Sequence, residues 1–191
     1  MATRRGGGMT AAPGSAGART TVRVWDPLLR LLHWALVAAV LVSWLGTVVL
    51  AGSHQPAGCV ALGIVVLRVL WGFVGSRHAR FAQFVRGPLA TWAYAVDVLR
   101  RREARCLGHN PLGACMVLAL LGCVLGLALT GWLYTGDVFW GDASADAVHV
   151  GLAWALLGLV CLHVSGALYT GWRHRESLVR AMFSGRKRGA D

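Results

Sequence analysis

The chain has 191 residues, of which 56% are apolar types and only 14% charged, with a mean hydropathy of +0.56. Soluble domains carry about 25% charged residues, so this composition excludes an ordinary water-facing globule. A formal charge of +11 would otherwise suggest nucleic acid as a partner, but in so apolar a chain basic residues act to orient it in a membrane. Five cysteines with no CxxC pair exclude both a disulfide scaffold and covalent attachment of a c-type haem.

Residues 1–21 are rich in Gly, Ala and Thr and are expected to form a disordered cytoplasmic N-terminus. Arg4-Arg5 is not followed by the short apolar segment of an export signal. Four long apolar runs come next, over residues 31–51, 56–74, 112–133 and 148–172. Each meets the length of about 20 residues that a helix needs to cross roughly 30 Å of hydrocarbon. Asp26-Pro27 and Asn110-Pro111 are cap-plus-proline pairs that start the first and third helices. The expected fold is therefore an all-α membrane protein, a four-transmembrane-helix bundle.

Charge orients it. Arg4, Arg5, Arg19, Arg23 and Arg30 precede span one, and Arg77, Arg80, Arg86, Arg100, Arg101, Arg102 and Arg105 separate spans two and three. Arg173, Arg175, Arg180, Arg186, Lys187 and Arg188 follow span four, whereas segments 52–55 and 134–147 hold no Lys or Arg. The positive-inside rule then places both termini in the cytoplasm. Segment 88–102 has apolar residues at helical spacing and a basic end, which predicts a helix lying in the cytoplasmic interface between spans two and three. The domain division expected is 22–180 as a membrane domain, which the histidines described next make a haem-binding one, and 181–191 as a basic cytoplasmic tail.

Four of the seven histidines are in or at the mouths of spans, where ionisable groups mark function. His33 enters from the cytoplasmic side in span one, and His54 stands at the outer mouth of span two. His149 and His163 share span four. Their fourteen-residue separation returns His163 to within roughly 40° of the face of His149, about 21 Å further along the axis. Non-covalent haem b needs two imidazoles at equal depth on facing helices. Depth pairs His33 with His163 in the inner leaflet and His54 with His149 at the outer edge, which predicts two bis-His haems b. A lone membrane histidine is as readily explained by a hydrogen bond to a neighbouring helix, but here the depth match recurs twice.

Gly58, Gly151 and Gly158 would let a flat macrocycle approach, while Gly122 and Gly126 suit close helix packing. Arg68 is the sole charge inside a span, at inner-leaflet depth, where it either pairs with a haem propionate or snorkels to headgroups. His78 and His174 lie among arginines, and His109 stands before the Asn110-Pro111 helix start. None of these three has a partner at its depth. Tryptophans such as Trp25, Trp71, Trp132, Trp140 and Trp172 gather at span ends as an aromatic belt.

The segments VWDPLLRLLHW, LRVLWGFVGSRHARF, LGHNPLGA and LHVSGALYTGWRHRESLVRAMFSGRKR resemble bacterial cytochrome b561-type proteins, and more closely the b-type cytochrome subunit of nickel–iron hydrogenases. The resemblance spans about residues 22–188. It implies a multi-pass protein of the bacterial inner membrane that passes electrons between the quinone pool and a periplasmic redox partner, cytochrome c-like or hydrogenase-like. His33, His54, His149 and His163 match its axial positions, and Arg68 its basic residue in span two. Quinone or quinol is the implied exchangeable substrate. The short region 134–148 departs from the pattern and favours a free-standing homologue or a smaller outer partner. Two other functions remain open on the residues: a membrane redox enzyme reducing superoxide or a ferric chelate at the outer haem, and a non-redox anchor or proton relay.

Overall fold

Asp26 and Asn110 each begin a helix by side-chain capping. Asp26 Oδ1 accepts from Leu29 N at 2.8 Å and Asn110 Oδ1 from Gly113 N at 2.7 Å, and a proline follows each cap. The computed structural model describes residues 21–135 and 141–189. In chain order its elements are β1 (Thr21–Arg23), α1 (Pro27–Gly46), α2 (His54–Val74), α3 (Phe81–Phe84), α4 (Pro88–Leu99), α5 (Pro111–Tyr134), α6 (Ala143–Arg173), α7 (Leu178–Ser184) and β2 (Arg186–Arg188). Among the described residues α1, α2, α5 and α6 are the four helices long and apolar enough to cross a membrane. The expectations for residues 1–20, and for Asp137 and Trp140, lie outside the described residues.

The first helix stops at Gly46, short of the expected residue 51. The hydroxyl of Thr47 bonds back to Trp44 O at 2.7 Å, and Gly52 turns the chain at φ +83°. A side chain at Gly46 would run into the backbone of His54 and the hydroxyl of Ser53. Val48–Ala51 therefore form the turn of a tight α1–α2 hairpin, so apolar composition overstates the helix there.

The bundle is two helical hairpins, α1–α2 and α5–α6, joined along α2 and α5. Leu32 and Ala39 of α1, Ala61, Ile64 and Val65 of α2, Leu121 and Val124 of α5 and Leu156 of α6 make the common core. Lipid is as apolar as these side chains, so close packing rather than the hydrophobic effect holds such helices together. Gly126 serves that end, since a Cβ there would lie 3.3 Å from Leu152 of α6. Helices α1 and α6 do not form such a packed pair; Trp44 and Trp154 reach across between them at 5.7 Å between ring centres.

The expected boundary between residues 180 and 181 falls inside α7, and the chain beyond it is built into the fold. β2 pairs antiparallel with β1, Thr21 opposite Arg188 and Arg23 opposite Arg186. Gly185, at φ +76°, lets the chain turn from α7 into β2, and its carbonyl accepts from Val24 N and Trp25 N at 2.9 and 3.1 Å. Arg105 ties the same end by donating to Glu176 Oε1 at 2.9 Å and to the carbonyls of Arg188 and Gly189. A second small core, Val24, Trp25, Leu29, Ala79 and Ala181, closes this end of the bundle.

Candidate functional site

The open seam between α1 and α6 carries the histidines. His33 of α1 faces His163 of α6 with ring centres 6.4 Å apart, and His54 of α2 faces His149 of α6 at 6.0 Å. These are the pairs that depth alone predicts, His54 entering from the first turn of α2 because the hairpin brings it beside α1. Among the described residues no group of three or more His, Cys, Asp or Glu gathers, so each imidazole pair stands alone.

The spacing tests the fit of an iron between the rings. Imidazole nitrogen binds a first-row metal at about 2 Å, and a ring centre lies about 1 Å behind its nitrogen. Two imidazoles on opposite sides of one ion are then about 6 Å apart, which both pairs match. Space is present as well. A Cβ at Gly58, Gly151 or Gly158 would meet nothing within 4 Å. The residues present fit a bis-imidazole haem in each pair.

The outer pair is oriented by neighbours that sequence reading did not single out. His54 Nδ1 lies 3.0 Å from the backbone carbonyl of Ser43 and 3.3 Å from its hydroxyl. The Thr130 hydroxyl of α5 lies 2.9 Å from His149 Nδ1 and 2.8 Å from the carbonyl of Gly126. It has one proton, which goes to Gly126, so it accepts from His149 Nδ1–H. Both histidines are thereby held as the tautomer whose Nε2 lone pair is free for a metal. The signal available in sequence was a threonine one turn past Gly126, a common enough arrangement to carry no information without the α5–α6 register.

At the inner end Arg68 is 7% exposed and does not snorkel. Its Nη1 donates to Ala79 O at 3.4 Å, and its guanidinium lies 5.3 Å from the centre of the Phe81 ring. The loop after α2 and helix α3 cover it. Beside this, His109, which has no partner at its depth in the sequence, has its ring 4.8 Å from Trp25 and 4.7 Å from Phe84, and its Nδ1 is buried with no hydrogen-bond partner. Burial, then the charge of Arg68, that of Lys187 and the two inner histidines, push its imidazole down to about 3. His109 is therefore a neutral ring within electrostatic reach of His33 and His163. Lys187 of β2, only 6% exposed, sits 5.6 Å above the Trp25 ring. His174 caps the end of α6, away from the imidazole pairs.

The family model for prokaryotic cytochrome b561 matches residues 24–185. A probable Ni/Fe-hydrogenase B-type cytochrome subunit of Rhizobium leguminosarum bv. viciae is 30% identical over 70% of this chain and 66% of its own length. Proteins of the same description from Bradyrhizobium diazoefficiens and Azotobacter vinelandii are 25% and 27% identical, covering 91% and 87% of this chain and 88% of each relative. No solved structure matches the chain. Four spanning helices, two imidazole pairs on one seam and a family match over most of the length agree: this multi-pass membrane protein belongs to the prokaryotic cytochrome b561 family.

Proposed function

We propose that the protein is a di-haem b-type cytochrome of the bacterial inner membrane that carries electrons between the quinone pool and a redox partner at the outer face. His33 and His163 hold one haem and His54 and His149 the other. The observation that carries this reading is the pair of imidazole separations, 6.4 and 6.0 Å, each suited to one iron. When bound, haem b would supply a reversible one-electron couple, and two imidazoles from the chain would hold each group, which favours electron transfer. The chain contributes position: both α6 ligands are on one rod, about 21 Å apart along its axis, so the two sites fall in opposite halves of the bilayer. Thr130 and the Ser43 carbonyl hold the outer tautomers, and Arg68 neutralises a propionate of the inner group.

On this reading both termini are in the cytoplasm, with α4 in the interface on that side, which the distribution of basic residues supports. Leu89, Trp92 and Leu99 of α4 are exposed and apolar, and Arg100 to Arg102 follow directly, as an interfacial helix requires. The membrane domain then runs from residue 22 through β2, since the tail is packed onto it. The names of the relatives favour a hydrogenase as the outer partner. The short α5–α6 connection favours a smaller protein such as a cytochrome c.

Purification and alanine substitution test the reading. The expected protein is red, with a sharp reduced α-band and about two haems b per chain. His54→Ala and His149→Ala should remove the same haem, and His33→Ala and His163→Ala the other. His54→Ala with His149→Ala should be little worse than either alone, because both act on one site. A colourless full-length protein would leave the anchor or proton-relay function instead, and a haem shared by His33 and His54 would overturn the pairing. Reduction by quinol, compared with and without hydrogenase or cytochrome c, identifies the partner.

A further inference from the structure

At the end of the bundle where His109 comes within electrostatic reach of His33 and His163, four rings follow one another in a continuous row. Trp25 touches His109 at 4.8 Å, His109 touches Phe84 at 4.7 Å, and Phe84 touches Phe81 at 5.7 Å between ring centres. A buried cation stands over each end of the row, Lys187 over Trp25 and Arg68 over Phe81. Among the described residues the ion pairs are Arg105 with Glu176 and Arg173 with Glu103, and neither buried cation is in one.

Asp26 and Glu176 are already engaged, and Glu103 is paired with Arg173. Asp26 accepts from Leu29 N, Ser76 Oγ and Trp71 Nε1, although it is near enough to Arg68 to act on it. Glu176 takes Arg105 and the Arg188 amide. Meanwhile Arg30 Nε, Trp34 Nε1 and His109 Nδ1 are buried without hydrogen-bond partners, as are the two oxygens of Glu103, whose charge is met by Arg173. Two unpaired cations and a surplus of orphaned nitrogens in a dry place destabilise the fold unless an acidic group arrives. Two cations at the two ends of one row of mutually tilted rings suit a group that carries two separate carboxylates.

We propose that Lys187 is the second cation of the inner haem site, the counterpart of Arg68, and that with His109 Nδ1 it binds one of the two propionates of the haem held by His33 and His163. The inference rests on the haem reading given above and extends it to the chain's β2 strand. It makes the tail part of a binding site, because Lys187 is brought there by the pairing of β2 with β1. The two propionates are then divided between a transmembrane helix and the tail.

The test is a potentiometric titration of the full-length protein and its Lys187→Gln and Lys187→Arg variants. The inner wave is identified as the one that His163→Ala removes. A cation beside the propionate disfavours the more positive ferric state, so its loss lowers the midpoint. For a charge roughly 10 Å from the iron the expected change is about tenfold in the reduction equilibrium, or about 59 mV for one electron. The outer wave should not move, and Lys187→Arg should restore the inner one. An inner wave unchanged in Lys187→Gln overturns this inference and leaves the haem reading standing. A wild-type protein without haem, or one whose haem is indifferent to His33 and His163, overturns both. Should Lys187→Gln accumulate poorly, His109→Phe keeps the row of rings and removes only the nitrogens. Weaker retention of the inner haem alone supports the inference, and undiminished retention overturns it.

Discussion

Replacing Thr130 by valine removes one hydroxyl and keeps the branched side chain, so α5 packs as before. What is lost is the side-chain acceptor for His149 Nδ1–H, 2.9 Å away, while the backbone carbonyl of Leu127 remains beside it. A net hydrogen bond is worth about 0.5–1.5 kcal/mol, and partners that orient a metal ligand typically change affinity about 10- to 100-fold. Without the hydroxyl the imidazole is held less firmly in one orientation and tautomer, and binding requires one of them. The lower end of the range applies, because Gly131 still confines the ring: a Cβ there would lie 3.2 Å from His149 Cε1. Outer-haem affinity in Thr130→Val should therefore fall about tenfold. Haem titration of protein expressed under haem limitation, followed at the α-band, reads this directly. Thr130→Ser, which retains the oxygen, should lose much less. Equal affinities for wild type and Thr130→Val, or loss of the inner haem instead, would refute the tautomer argument.

Orientation is checked by fusions. A reporter joined after Asp191 should be active only if it works in the cytoplasm, and one inserted at Asp142 only if it works outside. Asp26→Asn keeps the cap on α1 but weakens the bonds to Ser76 and Trp71, and should cost about 1 kcal/mol in thermal unfolding. Burial raises the Asp26 carboxyl, but hydrogen bonds from Ser76, Leu29 and Trp71 outweigh it and hold the group below its ordinary value of 3.8. A depressed carboxylate stabilises the fold above its unfolded pKa and loses that contribution as pH falls through the folded one. The gap between wild type and Asp26→Asn should accordingly be full at neutral pH and narrow below pH 3.8; a constant gap would show that charge plays no part.

The spans and their starting caps were legible because hydrocarbon imposes length and apolarity on every spanning residue, and Asp26-Pro27 and Asn110-Pro111 act locally. The histidine pairs were legible for a related reason, since depth in a bilayer is nearly a linear function of position in the chain. What escaped was lateral and long-range. Thr130 meets His149 only through the packing of α5 on α6. β1 and β2 are three-residue segments rich in arginine, a composition that reads as solvated, and their pairing depends on the whole bundle bringing them together. Lys187 consequently looked like one more orienting charge in a basic run, although it is buried against Trp25. His109 resembled a residue beside a helix cap, and only the fold puts it near the inner pair.

The pairing of β1 with β2 also imposes an order on assembly. The ribosome delivers β1 first and β2 only after all four spanning helices, so while the bundle inserts, β1 has no strand to pair with. The small core beside His109, which joins Val24 and Trp25 after β1 to Ala181 before β2, is therefore the last part of the bundle to close. Any group held near His109 would meet an unfinished site during synthesis and a covered one afterwards, Gly185 being the turn that brings the late strand back onto Val24 and Trp25.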